Sequence, residues 1–127
     1  MTLANWCIAA ACLLPTMVAL TPKVASFKDQ DHYDNTHPRD WESRQVGWKR
    51  RAHAAHLNGF EALPLFIAAV ILAQQANANQ DRIDILAMAF VLIRVVYSII
   101  YISNLAILRT LVWFAGVGVS LAILAMA

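Results

Sequence analysis

Four apolar stretches separated by polar segments leave this chain few ways to fold. They cover about residues 3–20, 59–75, 85–103 and 110–127. The first carries no charge and one proline, Pro15, and the second is interrupted only by Glu61 and Pro64. The third surrounds a single Arg94, and the fourth has no charge. A hydrocarbon layer ~30 Å thick takes about 20 residues of α-helix, so each stretch can cross it once its flanks are counted. Over 127 residues, 60% are hydrophobic and only 14% charged, against roughly 25% charged in an average soluble domain. The sequence therefore predicts one all-α domain over residues 1–127, an integral membrane four-helix bundle.

Charge distribution sets the expected orientation. Seven of the ten Lys and Arg residues (Lys23, Lys28, Arg39, Arg44, Lys49, Arg50 and Arg51) lie between or just at the borders of the first two stretches. Only Arg82 lies between the second and third, while Arg109, between the third and fourth, falls on the same side as the first loop. The bias of basic residues toward the cytoplasm predicts a cytoplasmic loop over about 21–48 and both termini outside. The first stretch reads as a retained span: its apolar run exceeds the usual ~7–15 residue signal core and no basic residue precedes it. A net charge of +2, spread among acids, excludes nucleic acid as a partner. Within the loop, Tyr33-Asp34-Asn35-Thr36-His37-Pro38-Arg39-Asp40 has the composition of turns. From Trp41 the pattern turns helical, predicting one helix from Trp41 to about Gln75, ~50 Å long.

Ionisable groups inside membrane helices are expensive and need a reason. Arg51, Asn58 and Glu61 fall within about 80° of one another on the second helix, a single face. Arg94, Tyr97 and Tyr101 form a corresponding face on the third, and Arg109 opens the fourth. One reading pairs Arg94 with Glu61 simply to lock the bundle. The other gathers donors and a carboxylate near the cytoplasmic surface to hold a polar anionic ligand. His53 and His56 lie off the Arg51 face and read as packing or interfacial residues. The histidines have no ligand-like spacing with Cys or carboxylates, so no metal site is predicted. Cys7 and Cys12, about 140° apart on a helix, cannot bridge each other and read as small apolar residues.

These residues resemble the MAPEG family, the membrane-associated proteins of eicosanoid and glutathione metabolism. The resemblance rests on Arg51-Ala52, then His56-x-Asn58-x-x-Glu61 with Pro64 and Phe66. It extends to Arg94-x-x-Tyr97-x-x-x-Tyr101 and to Arg109 at the start of the fourth span. It implies a homotrimer of four-helix protomers that binds glutathione between subunits near the cytoplasmic face, with lipophilic substrate arriving from membrane lipid. Carried over by position, Arg51, Asn58, Glu61, Arg94 and Tyr97 bind glutathione, and Tyr101 and Arg109 are catalytic, with Arg109 stabilising its thiolate. A free thiol with a pKa of about 8.5 is mostly protonated at neutral pH, and a guanidinium beside it favours the nucleophilic ion. The turn-rich loop is similar to that of bacterial members, which implies a bacterial inner membrane.

Two positions depart from the eicosanoid-metabolising members: Ala54 where they carry arginine, and Leu57 where some carry a basic residue. Each missing charge-assisted bond costs roughly 1.5–3 kcal/mol of affinity for a ligand with two carboxylates. The resemblance thus implies a glutathione-dependent transferase or peroxidase acting on lipophilic electrophiles. The alternative is a non-catalytic lipid- or partner-binding relative that has lost the thiol site.

Overall fold

A computed structural model describes residues 1–127 and is wholly helical. There are four long helices, α1 (Leu3–Ala25), α3 (Gly47–Gln75), α4 (Gln80–Ile102) and α5 (Ala106–Leu124), and the segment between α1 and α3 contains the short α2 (Pro38–Arg44). All four long helices have the length and hydropathy to cross a membrane. Helices α3 and α4 pack against each other, and α1 and α5 lie on opposite sides of that pair, each touching both members. The 29 residues of α3 extend about 43 Å at 1.5 Å per residue, beyond the ~30 Å hydrocarbon layer.

Two expectations about the first loop are corrected. Helix α1 does not stop near Leu20; it runs through Thr21-Pro22 to Ala25. Pro22 cannot donate to the carbonyl of Val18, and the Thr21 hydroxyl donates to that oxygen instead, at 2.7 Å, so the helix crosses the proline with its carbonyl satisfied. Nor does one helix run from Trp41 to Gln75. It breaks at Gln45, which is extended, and resumes at Gly47, whose φ of +62° is a left-handed backbone that favours glycine.

The break lets α2 fold back over the end of the bundle formed by the C-terminus of α1 and the N-terminus of α3. Trp41 is 1% exposed, and its indole N–H donates to the carbonyl of Asp31 at 3.0 Å. Glu42 lies between Lys23 (3.5 Å) and His53 (3.9 Å), Lys49 pairs with Asp29, and Arg44 forks onto both oxygens of Asp31. The Arg44 hydrogen bond holds the Asp31 carboxyl below its ordinary range. The segment is a built cap.

The apolar core fills the other half of the bundle. Ala4, Cys7 and Ala11 of α1 meet Phe66, Ala69 and Val70 of α3 and Ala87 and Phe90 of α4. Small residues let the helices approach closely, which carries association where lipid removes the hydrophobic driving force. Phe66 and Phe90 stack with centroids 3.9 Å apart. At the α1–α3 crossing, a Cβ on Gly59 would sit 2.7 Å from Pro15 Cγ, so this contact requires a residue without a side chain. At the far end, Asp84 accepts from the Ala4 N–H at 2.9 Å, a carboxylate at the N-terminus of α1. Cys7 and Cys12 are both free thiols.

Candidate functional site

Packing that is dry and alanine-rich on one half of the bundle gives way to polar contacts on the other, where α3, α4 and α5 meet. Arg94 is 5% exposed. Its Nη2 donates to Asn58 Oδ1 at 2.9 Å, and its guanidinium lies 4.2 Å from the centroid of Tyr97. Asn58 in turn offers its amide N–H to Glu61 Oε2 at 3.4 Å. The Arg94–Glu61 ion pair of the first reading is not formed: Arg94 has no carboxylate partner, and Asn58 stands between the two charges. Three residues of spacing on α3 place Asn58 and Glu61 on one face, but α4 approaches the asparagine and leaves Glu61 exposed.

Toward the C-terminal end of α4 the line continues through aromatic rings. Tyr97, 3% exposed, meets Tyr101 edge to face with centroids 5.8 Å apart. The Arg109 guanidinium lies 4.4 Å from the Tyr101 centroid. The spacing Arg94, Tyr97, Tyr101 keeps the three on one side of α4, and Arg109 reaches that side from the first turn of α5. The result is a sequence of contacts Glu61–Asn58–Arg94–Tyr97–Tyr101–Arg109 over three helices, polar and aromatic throughout.

Arg51 stands apart from this line. Its Nε donates to the carbonyl of Ile102 at 2.9 Å, capping the C-terminus of α4, where a cation suits the helix dipole. That bond uses one of five guanidinium donors. His53 and His56 lie beside each other, with centroids 5.6 Å apart, and His56 packs on Phe60. They belong to the cap and the α1 side. No cluster of His, Cys, Asp or Glu is arranged to hold a metal.

Below the polar line a cleft of about 300 Å³ opens between α3, α4 and α5, bounded by Glu61, Arg94, Phe90, Trp113, Val117 and Ser120, among others. Its α5 wall was not singled out from the sequence. The signal was there: Trp113, Gly116, Val117 and Ser120 recur at three- and four-residue spacing, one face of a helix.

The MAPEG family model matches residues 3–127. No curated protein and no solved structure matches the chain. Four membrane-spanning helices and a match over essentially the full length assign this integral membrane protein: the chain belongs to the MAPEG family.

Proposed function

We propose that the protein is a membrane-embedded, glutathione-dependent transferase or peroxidase acting on lipophilic electrophiles. The observation that carries this reading is the unbroken line of contacts from Glu61 to Arg109, which brings a carboxylate, an amide, two phenols and two guanidinium groups together on α3, α4 and α5. The chemistry of the donor set fits glutathione, which carries a thiol, two carboxylates and an ammonium group. Glu61 is exposed and has no cation within ion-pair distance, so it suits the ammonium. Arg51 keeps its two terminal nitrogens free of protein partners while Nε is engaged, so it suits a carboxylate.

Arg109 makes no ion pair and rests on the Tyr101 ring, which makes it the available cation for a thiolate. Tyr101 holds that cation against the face of its ring. Arg94, fixed by Asn58 and Tyr97, orients the amide that presents an N–H toward Glu61. Bound glutathione supplies the nucleophile: its sulfur displaces a leaving group to form a thioether, or two molecules reduce a hydroperoxide to alcohol and water and become the disulfide.

An exposed carboxylate at membrane depth is costly facing lipid. This supports assembly as a homotrimer in which the Glu61 face meets a neighbouring copy. The proposed setting is a bacterial inner membrane with the α2 cap cytoplasmic and both termini outside.

Ala54 and Leu57 supply no charge, so affinity is expected in the upper micromolar to millimolar range. Calorimetric titration of purified protein in detergent is expected to give saturable glutathione binding. An ultraviolet thiolate band should appear and be lost in Arg109→Ala, together with conjugation of chlorodinitrobenzene. Absence of binding at millimolar glutathione overturns the proposal and leaves the non-catalytic binding member as the reading.

A further inference from the structure

A proline inside a helix leaves one backbone carbonyl without its N–H donor, and α1 carries two buried prolines, Pro15 and Pro22. In a membrane the freed carbonyl must find a donor on a neighbouring helix, on a hydroxyl or on an ordered water. At Pro22 the preceding residue supplies it: Thr21 donates its hydroxyl to the Val18 carbonyl at 2.7 Å. At Pro15 the preceding residue is Leu14, which has nothing to donate. The carbonyl released there belongs to Ala11, itself 3% exposed. The side chains that donate to backbone carbonyls all reach others.

A helical carbonyl points along the axis toward the residue four positions on. Ala11 and Pro15 both border a small cavity where α1, α3 and α4 meet, with about 10 Å³ of free space, room for one water. Arg94, 5% exposed, borders the same cavity, and only one of its five guanidinium N–H donors is given to the protein, to Asn58. Ser98, 7% exposed, borders it too. Its hydroxyl donates back to the Arg94 carbonyl at 3.0 Å, which commits its proton and leaves its oxygen as an acceptor.

The guanidinium and the Ala11 carbonyl are complementary, yet the bond Arg94 makes is to Asn58. A water joins the three groups: it accepts an N–H from Arg94 and donates one proton to the Ala11 carbonyl and the other to Ser98 Oγ. Three hydrogen bonds is the usual complement of a buried water. We infer that this cavity is a binding site for one structural water, which ties Arg94 of α4 to the carbonyl that Pro15 frees on α1. Through it the polar line on α3, α4 and α5 is anchored to the remaining long helix. The site does not depend on what binds at Glu61 or Arg109.

The test compares two ways of losing the Ser98 hydroxyl, by equilibrium unfolding of the full-length protein in mixed micelles. Ser98→Ala leaves room for the water and two of its three bonds. Ser98→Val puts a methyl group in the water's place and strands both the guanidinium and the carbonyl. Filling a dry void adds contacts and is neutral or stabilising, whereas displacing a bound water without replacing its bonds is costly. The unfolding equilibrium of Ser98→Val is expected to shift toward the unfolded state at least about tenfold further than that of Ser98→Ala. A valine variant as stable as the alanine variant, or more so, overturns the inference.

Overpacking is separated from water loss by repeating the pair in two backgrounds. Leu14→Thr rebuilds before Pro15 the hydroxyl that Thr21 supplies before Pro22, and Leu14→Val has the same shape without it. Leu14→Thr is expected to shrink the valine penalty at least about threefold, and Leu14→Val to leave it in place; equal penalties in the two backgrounds overturn the inference. Should Ser98→Val not fold, a crystal structure of the unaltered protein grown in a lipid mesophase decides. An ordered water about 2.7–3.2 Å from both the Arg94 guanidinium and the Ala11 carbonyl is expected. A direct Arg94–Ala11 bond, or no water there in a map that shows ordered water elsewhere in the bundle, overturns it.

Discussion

The contact between Asn58 and Arg94 lends itself to a quantitative test. Arg94 is 5% exposed, accepts no ion pair, and has one hydrogen bond, 2.9 Å to Asn58 Oδ1. A bond to a charged group is worth about 1.5–3 kcal/mol in soluble proteins. Interhelical bonds in membranes average only about 0.6 kcal/mol, with a maximum near 1.7, because the separated helices also find partners. The charge and depth of Arg94 place it at the top of the membrane range, about 1.5 kcal/mol. The Tyr97 ring, 4.2 Å from the guanidinium, contributes roughly another 1 kcal/mol, but it survives in an Asn58 variant and drops out of the comparison. Asn58→Leu and Arg94→Met, singly and together, form a double-mutant cycle read by equilibrium unfolding in mixed micelles. The expected coupling is about 1.5 kcal/mol. A parallel cycle with Glu61→Gln should give less than about 0.5 kcal/mol, since Glu61 touches Arg94 only through the amide. A Glu61 coupling larger than the Asn58 coupling would refute the reasoning and restore a direct ion pair.

Other consequences follow from the cap, the α1–α3 crossing and the proline in α1. Asp31, held below its ordinary pKa by the Arg44 hydrogen bond, contributes to docking of α2 above the unfolded carboxylate value, and that contribution disappears as pH falls through the lower folded value. Hydrogen exchange of the cap should therefore accelerate only in acid below about pH 4, and Asp31→Asn should remove the dependence on Arg44. Gly59→Ala places a methyl group against the Pro15 ring and is expected to cost about 1–3 kcal/mol by overpacking; unfolding titration in micelles would show it, and a neutral effect would mean the crossing can open. Thr21→Val removes the donor to the Val18 carbonyl beside Pro22. It should cost about 1 kcal/mol, with faster amide exchange over the last turn of α1.

Apolar length made the four helices legible in sequence, because lipid leaves the backbone little choice but to bond within each segment. The placement of Arg94, Tyr97 and Tyr101 on one face followed from spacing alone. Three features did not. Spacing on α3 puts Asn58 and Glu61 on one face but cannot say which of them α4 approaches, so the cation's partner stayed open in the sequence. The continuation of α1 past Pro22 depends on a hydroxyl replacing a missing N–H, a local bond that a proline count overlooks. Arg51 shares the face of Asn58 and Glu61, but spacing does not show that its reach also lets Nε cap a helix end fifty-one residues away. Long flexible side chains choose partners that periodicity does not specify.

The residue between the two charges also explains why it is an amide. Arg94 has only donors, and Glu61, ionised, has only acceptors. An aspartate at position 58 would satisfy the guanidinium but place a second carboxylate against Glu61, and like charges so close force one to take up a proton. A leucine would leave the buried cation with no side-chain acceptor, which costs more than the bond itself. Asparagine meets both demands at once. Accepting from Arg94 through Oδ1 fixes the ring-like plane of the amide, and the N–H is then directed at Glu61. One weak bond of 3.4 Å leaves most of the Glu61 lone pairs unused, on an exposed face, while the compensating positive charge stays buried one layer behind. The arrangement keeps a carboxylate available at membrane depth without collapsing it onto the nearest arginine. A structural ion pair does not need that, and the proposed site for an incoming ammonium does.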